Sequence, residues 1–500
     1  MQDRLTRLVR RAVPLLLVGM AVWTYLTYGF QREVARDDAL FAYSGQRVAD
    51  GCAPYERSFD AKGPLSYAVP ALGVLAARQL HIPEYRGVQG EFVVISILCV
   101  LAVYLLTREV TGSVVAGVFA AIMFLGFEGF LQHAAGARAK TTIVLLTPLA
   151  LLALVRRRWA LGGALVAAAA LTWQTMVLLG LAAIPSILRE EPSRRLRAFV
   201  ALLAGGLAVV ALVVAWFAAE GALTDLWHGA VVSLTYLASR TSELPLSWRF
   251  WRPVRRCWEG YPSTFMAGCF GVLGLIAAFA EKSREEGGAI GALTRSPWSV
   301  IFLGFIMLVG FSILDFQIYG DAYPLLPFIA LGLGFVLERA LTALTGPESL
   351  IRPGQRPLAA ALVALALFSP TVVFVKFHPG RGLAEQQRIS REIADRLGDG
   401  TIQCINAPQI LCLAELKNAT RYAILSGRLL GFVEDHEPGG VDGLLRSMGR
   451  ADLVVCYVSD CEQMPCVYDR VKRNYRLWRT YEKWEVYERP RAAENVPVSP

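Results

Sequence analysis

The sequence predicts an all-α polytopic membrane domain of about eleven membrane-spanning helices, followed by a C-terminal soluble α/β domain. Three observations predict it. Of the 500 residues, 55% are hydrophobic, and mean hydropathy is +0.44. Soluble domains carry less apolar residue and more charge. The runs 13–30, 88–106, 196–219 and 358–374 each approach the roughly 20 helical residues that span a hydrocarbon core. Lys and Arg collect in alternate loops, as cytoplasmic loops require.

With the N-terminus inside, the first helix covers about 13–30 and exits. Arg4, Arg7, Arg10 and Arg11 precede it like the basic end of a secretory signal. The run has no small-residue cleavage site, and Trp23, Tyr25 and Tyr28 form an interfacial belt, so it is expected to stay as an anchor. A polar loop follows, 31–86. Its apolar piece Leu65–Leu80 is short and broken by Pro70, so it is expected to lie at the membrane surface. Further helices are expected near 88–106, 113–130 and 141–155, the last landing on Arg156, Arg157 and Arg158. The stretch 159–187 breaks at Thr172-Trp173-Gln174-Thr175, which reads as a tight hairpin of two helices. Helices near 197–219, 263–280, 298–314, 322–341 and 358–375 complete the set. A membrane domain over 1–376 and an extracytoplasmic domain over 377–500 result. Counting Leu65–Leu80 as a span would put Arg156–Arg158 and Arg194–Arg197 outside, against the charge rule.

In the tail, 385–397 has the period of an amphipathic helix, and 401–406, 451–458 and 484–487 read as strands. The net charge of +9 belongs largely to membrane flanks and does not point to nucleic acid. Nine cysteines fit no metal-ligand spacing. Cys99 and Cys269 lie in apolar runs. Cys404, Cys412, Cys456, Cys461 and Cys466 cluster in the tail, where an oxidising compartment would let some pair.

The loops assigned to the outer face carry charge against the bias. The first holds Asp37, Asp38, Asp60 and Lys62. The next holds Arg138 and Lys140. The loop 220–261 holds Arg240, Arg249, Arg252, Arg255 and Arg256 among Trp248, Trp251 and Trp258. A fourth holds Asp315, Gln317, Asp321 and Tyr323. Acids and bases gathered at one face suggest a site for an anionic, partly lipidic ligand, since ionisable groups near hydrocarbon are costly unless paired or functional. The plainer readings stand beside this one. Loop charges are usually solvated. The Trp/Arg segment fits anionic headgroups with Trp as an interface anchor. Asp37-Asp38 fits the N-cap of a helix starting at Ala39.

The first loop reads Arg36-Asp37-Asp38-Ala39-Leu40-Phe41-Ala42-Tyr43, then Gln46-Arg47-Val48-Ala49-Asp50-Gly51, Pro54-Tyr55, and Phe59-Asp60-Ala61-Lys62-Gly63-Pro64-Leu65-Ser66-Tyr67. This resembles the first periplasmic loop of GT-C class glycosyltransferases. The nearest branch is the bacterial one related to protein O-mannosyltransferases (polyprenyl- or dolichyl-phosphate-mannose dependent) and lipid A aminoarabinose transferases. Tyr323-Pro324-Leu325-Leu326-Pro327 is similar to the late aromatic-x-x-x-Pro segment of that class, and Leu171-Thr172-Trp173-Gln174 to a Thr-containing turn. The resemblance covers roughly 10–375 and implies a GT-C-like fold.

It also implies transfer of a hexosyl or pentosyl group from a polyprenyl-phosphate carrier, on the extracytoplasmic face, to a glycan, lipid or protein acceptor. Asp37 matches the catalytic carboxylate, a general base. Lys62 matches a lysine near the carrier phosphate. Arg138, Lys140, Arg252, Arg255 and Arg256 are candidates by topology, as are Asp38, Asp60, Gln317 and Tyr323. The leaving phosphate is a weak base, so it needs cations and no general acid, unlike the paired carboxylates of hydrolases. The pattern departs from the class at Gln132–Lys140, which lacks the second acid. Asp315 or Asp321 is the candidate substitute, and no cofactor is assigned, with a divalent metal left open. His133 reads equally as a plain loop residue.

The expected setting is the inner membrane of a bacterium, among membrane lipid, with no nucleic-acid partner. Two rivals share the donor face. One is a lipid-linked sugar transporter or flippase, which should place charges at helix midplanes. The other is a polysaccharide ligase with different catalytic residues. Asn418-Ala419-Thr420 matches a glycosylation sequon.

Overall fold

The computed structural model describes residues 2–239, 246–314, 316, 319–345, 355–378 and 380–490. It divides into two compact units. The first comprises Met1–Phe30, Glu91–Val214 and Leu244–Gly380. The second comprises Gln31–Gly90, Ala215–Glu243 and Arg381–Pro500.

The first unit is helical. Six helices in the described chain are long and apolar enough to cross a membrane: Arg11–Gly29, Glu84–Thr111, Pro192–Ala219, Pro262–Glu285, Tyr319–Leu344 and Arg356–Phe377. Five shorter apolar helical stretches are Val114–Leu125, Ala139–Val155, Trp159–Thr172, Gln174–Leu188 and Trp298–Leu314. Each lies where a helix is expected. The 159–187 stretch breaks as predicted, with Trp173 in extended conformation after Thr172. Its second limb is not one helix: a 3-10 turn, Gln174–Val177, leads into the short pieces Leu178–Leu181 and Ile184–Leu188.

Small residues let these helices approach closely, as in membrane bundles where packing replaces the hydrophobic effect. A Cβ on Gly271 would press on the Ile329 carbonyl, and one on Gly274 on that of Gly332. Equal steps in the same order mean that Pro262–Glu285 and Leu326–Leu344 run parallel. Tyr104 packs against Gly117, and Gly334 against Ala116 and Ala120.

The second unit joins the first loop to the tail. Asp37 and Asp38 are not caps of a helix beginning at Ala39. The helix is Arg36–Ala49, its cap is Ala35 without a side-chain bond, and both acids lie in its first turn. There they favour the positive pole of the helix dipole. Leu65–Leu80 is one helix that runs through Pro70 rather than breaking. Gln46 Nε2 donates to the Cys412 carbonyl at 3.0 Å, and Asn418 N to the Tyr43 hydroxyl at 3.1 Å.

The tail sheet has four strands in the order β1-β2-β4-β3: β1 Ile402–Ile405, β2 Leu453–Tyr457, β3 Arg476–Thr480 and β4 Trp484–Glu488. β1 and β2 pair in parallel, with Ile402 opposite Leu453. Such a pair needs a crossover, and the helices Pro408–Leu413, Gly427–His436 and Gly440–Met448 lie between them in the chain. β4 pairs antiparallel with β2 and β3. β3 escapes sequence reading because its edge position leaves Arg476, Leu477, Arg479 and Thr480 exposed, so it has no apolar alternation. All nine cysteines are free thiols, so the expected pairing in the tail is not found. Cys404, Cys412, Cys456 and Cys461 are instead buried in the second unit.

The Gly271–Gly332 crossing makes a direct forecast. Gly332→Val drives a side chain into the Gly271 backbone and should cost at least the 1–3 kcal/mol, roughly, of an overpacked core. Gly310→Ala meets nothing within 4 Å and should leave the thermal midpoint in detergent unchanged or slightly raised. Equal midpoints for the two variants would refute the close crossing.

Candidate active site

Within the first unit, the chain from Gly126 to Ala139 leads into the helix Ala139–Val155. Arg138 is its extended N-cap residue and Lys140 lies in its first turn; each is only 8% exposed. Two cations at the positive pole of a helix dipole are unfavourable. Burial of an ion adds a penalty of several kcal/mol, roughly, unless it is paired. Asp321, 6% exposed, offsets this: its Oδ1 accepts from Lys140 Nζ at 2.6 Å. The ammonium also lies 5.6 Å from the Trp173 ring centroid, a cation–π distance. Arg138 joins them, since a Cβ on Gly320 would stand 3.4 Å from Lys140 Nζ and 3.5 Å from Arg138 Nη1. Arg138, Lys140 and Asp321, drawn from two outer-loop sets, therefore converge. With the helix pole they form a buried charged cluster.

Tyrosines border this cluster. Tyr323 donates to the Gly129 carbonyl at 2.5 Å, and its ring lies 6.4 Å from that of His133. Tyr319 packs on Tyr323 at 5.5 Å and on Tyr261 at 4.1 Å. Tyr261 donates to Gln132 Oε1 at 2.5 Å. Gly129 has no room for a side chain because the Tyr319 hydroxyl occupies that space. Tyr261 and Tyr319 were missed in the sequence reading. Their only signal is aromatic residues flanking a loop that also holds Asp321.

The helix Leu246–Gly260 presents two different faces. Burial, and then the nearby Asp321 charge, push the Cys257 thiol up to about 11, which puts Cys257 on the site side. Arg252, Arg255 and Arg256 line a separate hollow of about 150 Å³ with Trp248. Arg255 is exposed and pairs with Glu259 at 2.7 Å, and Arg256 is exposed too. Asp315 and Gln317 lie outside the described residues.

In the second unit, Asp38 is 4% exposed and Asp37 half-buried on the helix Arg36–Ala49. Two buried tyrosines hold the Asp60–Lys62 backbone. Tyr55 donates to the Lys62 carbonyl at 2.6 Å. The Tyr67 hydroxyl donates to the Asp60 carbonyl at 2.7 Å and accepts from the Asp60 N–H at 2.7 Å. Burial, then the Asp60 charge, raises the Tyr55 phenol well above its ordinary value; burial, then Tyr55 and Asp60, does the same to Tyr67. Both therefore stay protonated donors. Arg421 was also missed. It lies 5.2 Å from the Phe59 ring centroid, bonds Asp225 at 3.2 Å and pairs with Glu437. Its sequence signal is one arginine among many in the tail. No group of three or more His, Cys, Asp or Glu able to hold a metal occurs among the described residues.

The Lys140–Asp321 pair should be visible in stability. Asp321→Asn leaves a buried ammonium without its carboxylate and should cost about 3–5 kcal/mol. Lys140→Met with Asp321→Leu removes both charges and should recover most of that loss in thermal unfolding. A double variant no more stable than Asp321→Asn would contradict the pairing.

No family model matches the chain, and no curated protein matches it. Among solved structures, two crystal structures of ArnT from Cupriavidus metallidurans are similar, one bound to undecaprenyl phosphate and one in the apo state. Each has a TM-score of 0.58 at 14% identity, over 95% of this chain and 97% of that one. At such identity the likeness is one of fold. The chain has the polytopic membrane fold of ArnT, a lipid A aminoarabinose transferase of the GT-C class, which is the branch that the first-loop motif resembles.

Proposed function

We propose that this chain is a membrane glycosyltransferase that moves a sugar from a polyprenyl-phosphate carrier to an acceptor hydroxyl at the extracytoplasmic face. The observation that carries this reading is the buried cluster of Arg138, Lys140 and Asp321. It holds two cations at a helix N-terminus, where phosphates bind. The fold adds support, because the ArnT structure that shares it holds undecaprenyl phosphate.

The chemistry asked of the residues is modest. The acceptor oxygen attacks the anomeric carbon while the bond from that carbon to the phosphate oxygen breaks. The phosphate leaves with the bonding pair, as polyprenyl phosphate. Lys140 and Arg138 stabilise the charge that develops on it. Lys62 is the lysine that the motif resemblance assigns to the phosphate side. Asp37 takes the acceptor proton, a contribution of about two to four orders of magnitude. Tyr55 and Tyr67 position the Asp60–Lys62 segment. Trp173 and Asp321 hold Lys140 when no donor is bound.

Transfer from synthetic polyprenyl-phosphate sugars in detergent tests this. Asp37→Asn should lower kcat by about 10²–10⁴-fold with the donor KM little changed. Lys140→Gln should raise the donor KM as well as lower kcat. Undiminished transfer by Asp37→Asn would remove Asp37 as the base. Wild-type carriage of the lipid-linked sugar across vesicles without transfer would instead favour the flippase reading.

A further inference from the structure

Three helices of the first unit enclose a groove of about 410 Å³ that the proposed reaction does not use. They are Gln2–Gly29, Val114–Leu125 and Arg356–Phe377. Every side chain lining it is apolar. The lining comes from 13–20, 114–122 and 357–365, which follows Arg11 in the first helix and opens the other two. The three helices therefore enter side by side from one end, where Val13, Val114 and Pro357 form the mouth of the groove.

Its length and its mouth identify what fits. Eight residue steps at 1.5 Å make a groove about 12 Å long. One leaflet of hydrocarbon is about 15 Å deep. Arg11, exposed, stands two residues before the lining begins, in a segment that also carries Arg4, Arg7 and Arg10 in sequence. Arg356 stands beside Pro357, but its charge is met by Glu338 at 3.0 Å. Arg11 thus supplies an exposed cation at this end. The Arg138–Lys140 cluster belongs to the other end, because residues 126–140 follow the C-terminus of Val114–Leu125. A carrier held at that cluster has its phosphate far from this mouth.

We infer that the groove is a binding site for one acyl chain of an anionic phospholipid, with the lipid phosphate at Arg11. The positive-inside rule makes the donating leaflet the cytoplasmic one. The lipid adds to the side-chain packing between the first helix and Arg356–Phe377, where Trp23 meets Phe368 and Tyr28 meets Phe374.

The test is native mass spectrometry of the full chain, released from micelles containing phosphatidylglycerol, phosphatidylcholine with the same acyl chains, or undecaprenyl phosphate. Wild type should retain one phosphatidylglycerol, roughly fivefold more often than phosphatidylcholine, the effect of about one surface cation on an anionic lipid. Arg11→Gln should abolish that preference. Ala361→Phe, which fills the groove from a lining position, should lose the bound lipid, and Ala360→Phe repeats the test if the first variant does not fold. Val200→Phe, at a position 53% exposed on another helix, should retain it. Three results would overturn the inference. They are lipid retention unchanged by a folded groove-filling variant, a headgroup preference that survives Arg11→Gln, and undecaprenyl phosphate as the species displaced.

Discussion

Hydrocarbon offers no partner to an unpaired peptide group, so whatever backbone enters it must bond to itself. The first unit follows from that constraint. Its apolar stretches are helices, and the close crossings among them are made where glycine or alanine lets one backbone reach another, as at Gly271–Gly332 and Gly334–Ala116. With apolar side chains on every surface, burial of apolar area discriminates little between arrangements. Small-residue contacts and a few polar bonds carry the specificity. The 3-10 turn at Gln174–Val177 and the segment Tyr319–Leu325 are departures from regular helix. The second adjoins the buried charges, and Trp173, next to the first, lies under Lys140.

Those charges show what the constraint costs. Arg138 and Lys140 stand at a helix end that disfavours cations and in surroundings that disfavour ions. Asp321 compensates Lys140 within the buried cluster. Such an arrangement is expensive to keep unless an anion uses it. The tyrosines at 261, 319 and 323 add apolar bulk around it, with hydroxyls turned to Gln132 and the Gly129 carbonyl where those bonds are made.

The second unit is held by side-chain hydrogen bonds and ion pairs. Its first-loop segment has little regular structure between Gly51 and Pro64, so its shape depends on bonds from elsewhere. Tyr55 and Tyr67 hold its carbonyls, and Phe59 N donates to the Arg421 carbonyl at 2.9 Å. Arg421 is held in turn by Asp225 and Glu437. A motif that reads as one short loop is therefore maintained by residues far along the chain.

Hydropathy, loop charge and one loop motif were enough to determine the class of fold, the place of each apolar helix and three of the four tail strands, β1, β2 and β4. The reason is that length, apolarity and period-2 or helical patterning are local properties. Arg138, Lys140, Asp321 and Tyr323 were also legible as charged or aromatic residues at one face. Only the tertiary structure decided that Lys140 bonds Asp321, that Tyr261 and Tyr319 join them, and that Arg252, Arg255 and Arg256 line a hollow of their own. It also decided that the tail packs with the first loop and keeps four of its five cysteines as buried thiols. These are contacts between residues up to hundreds of positions apart. No spacing along the chain encodes them, because they depend on which helix faces which and on how closely glycine lets them approach.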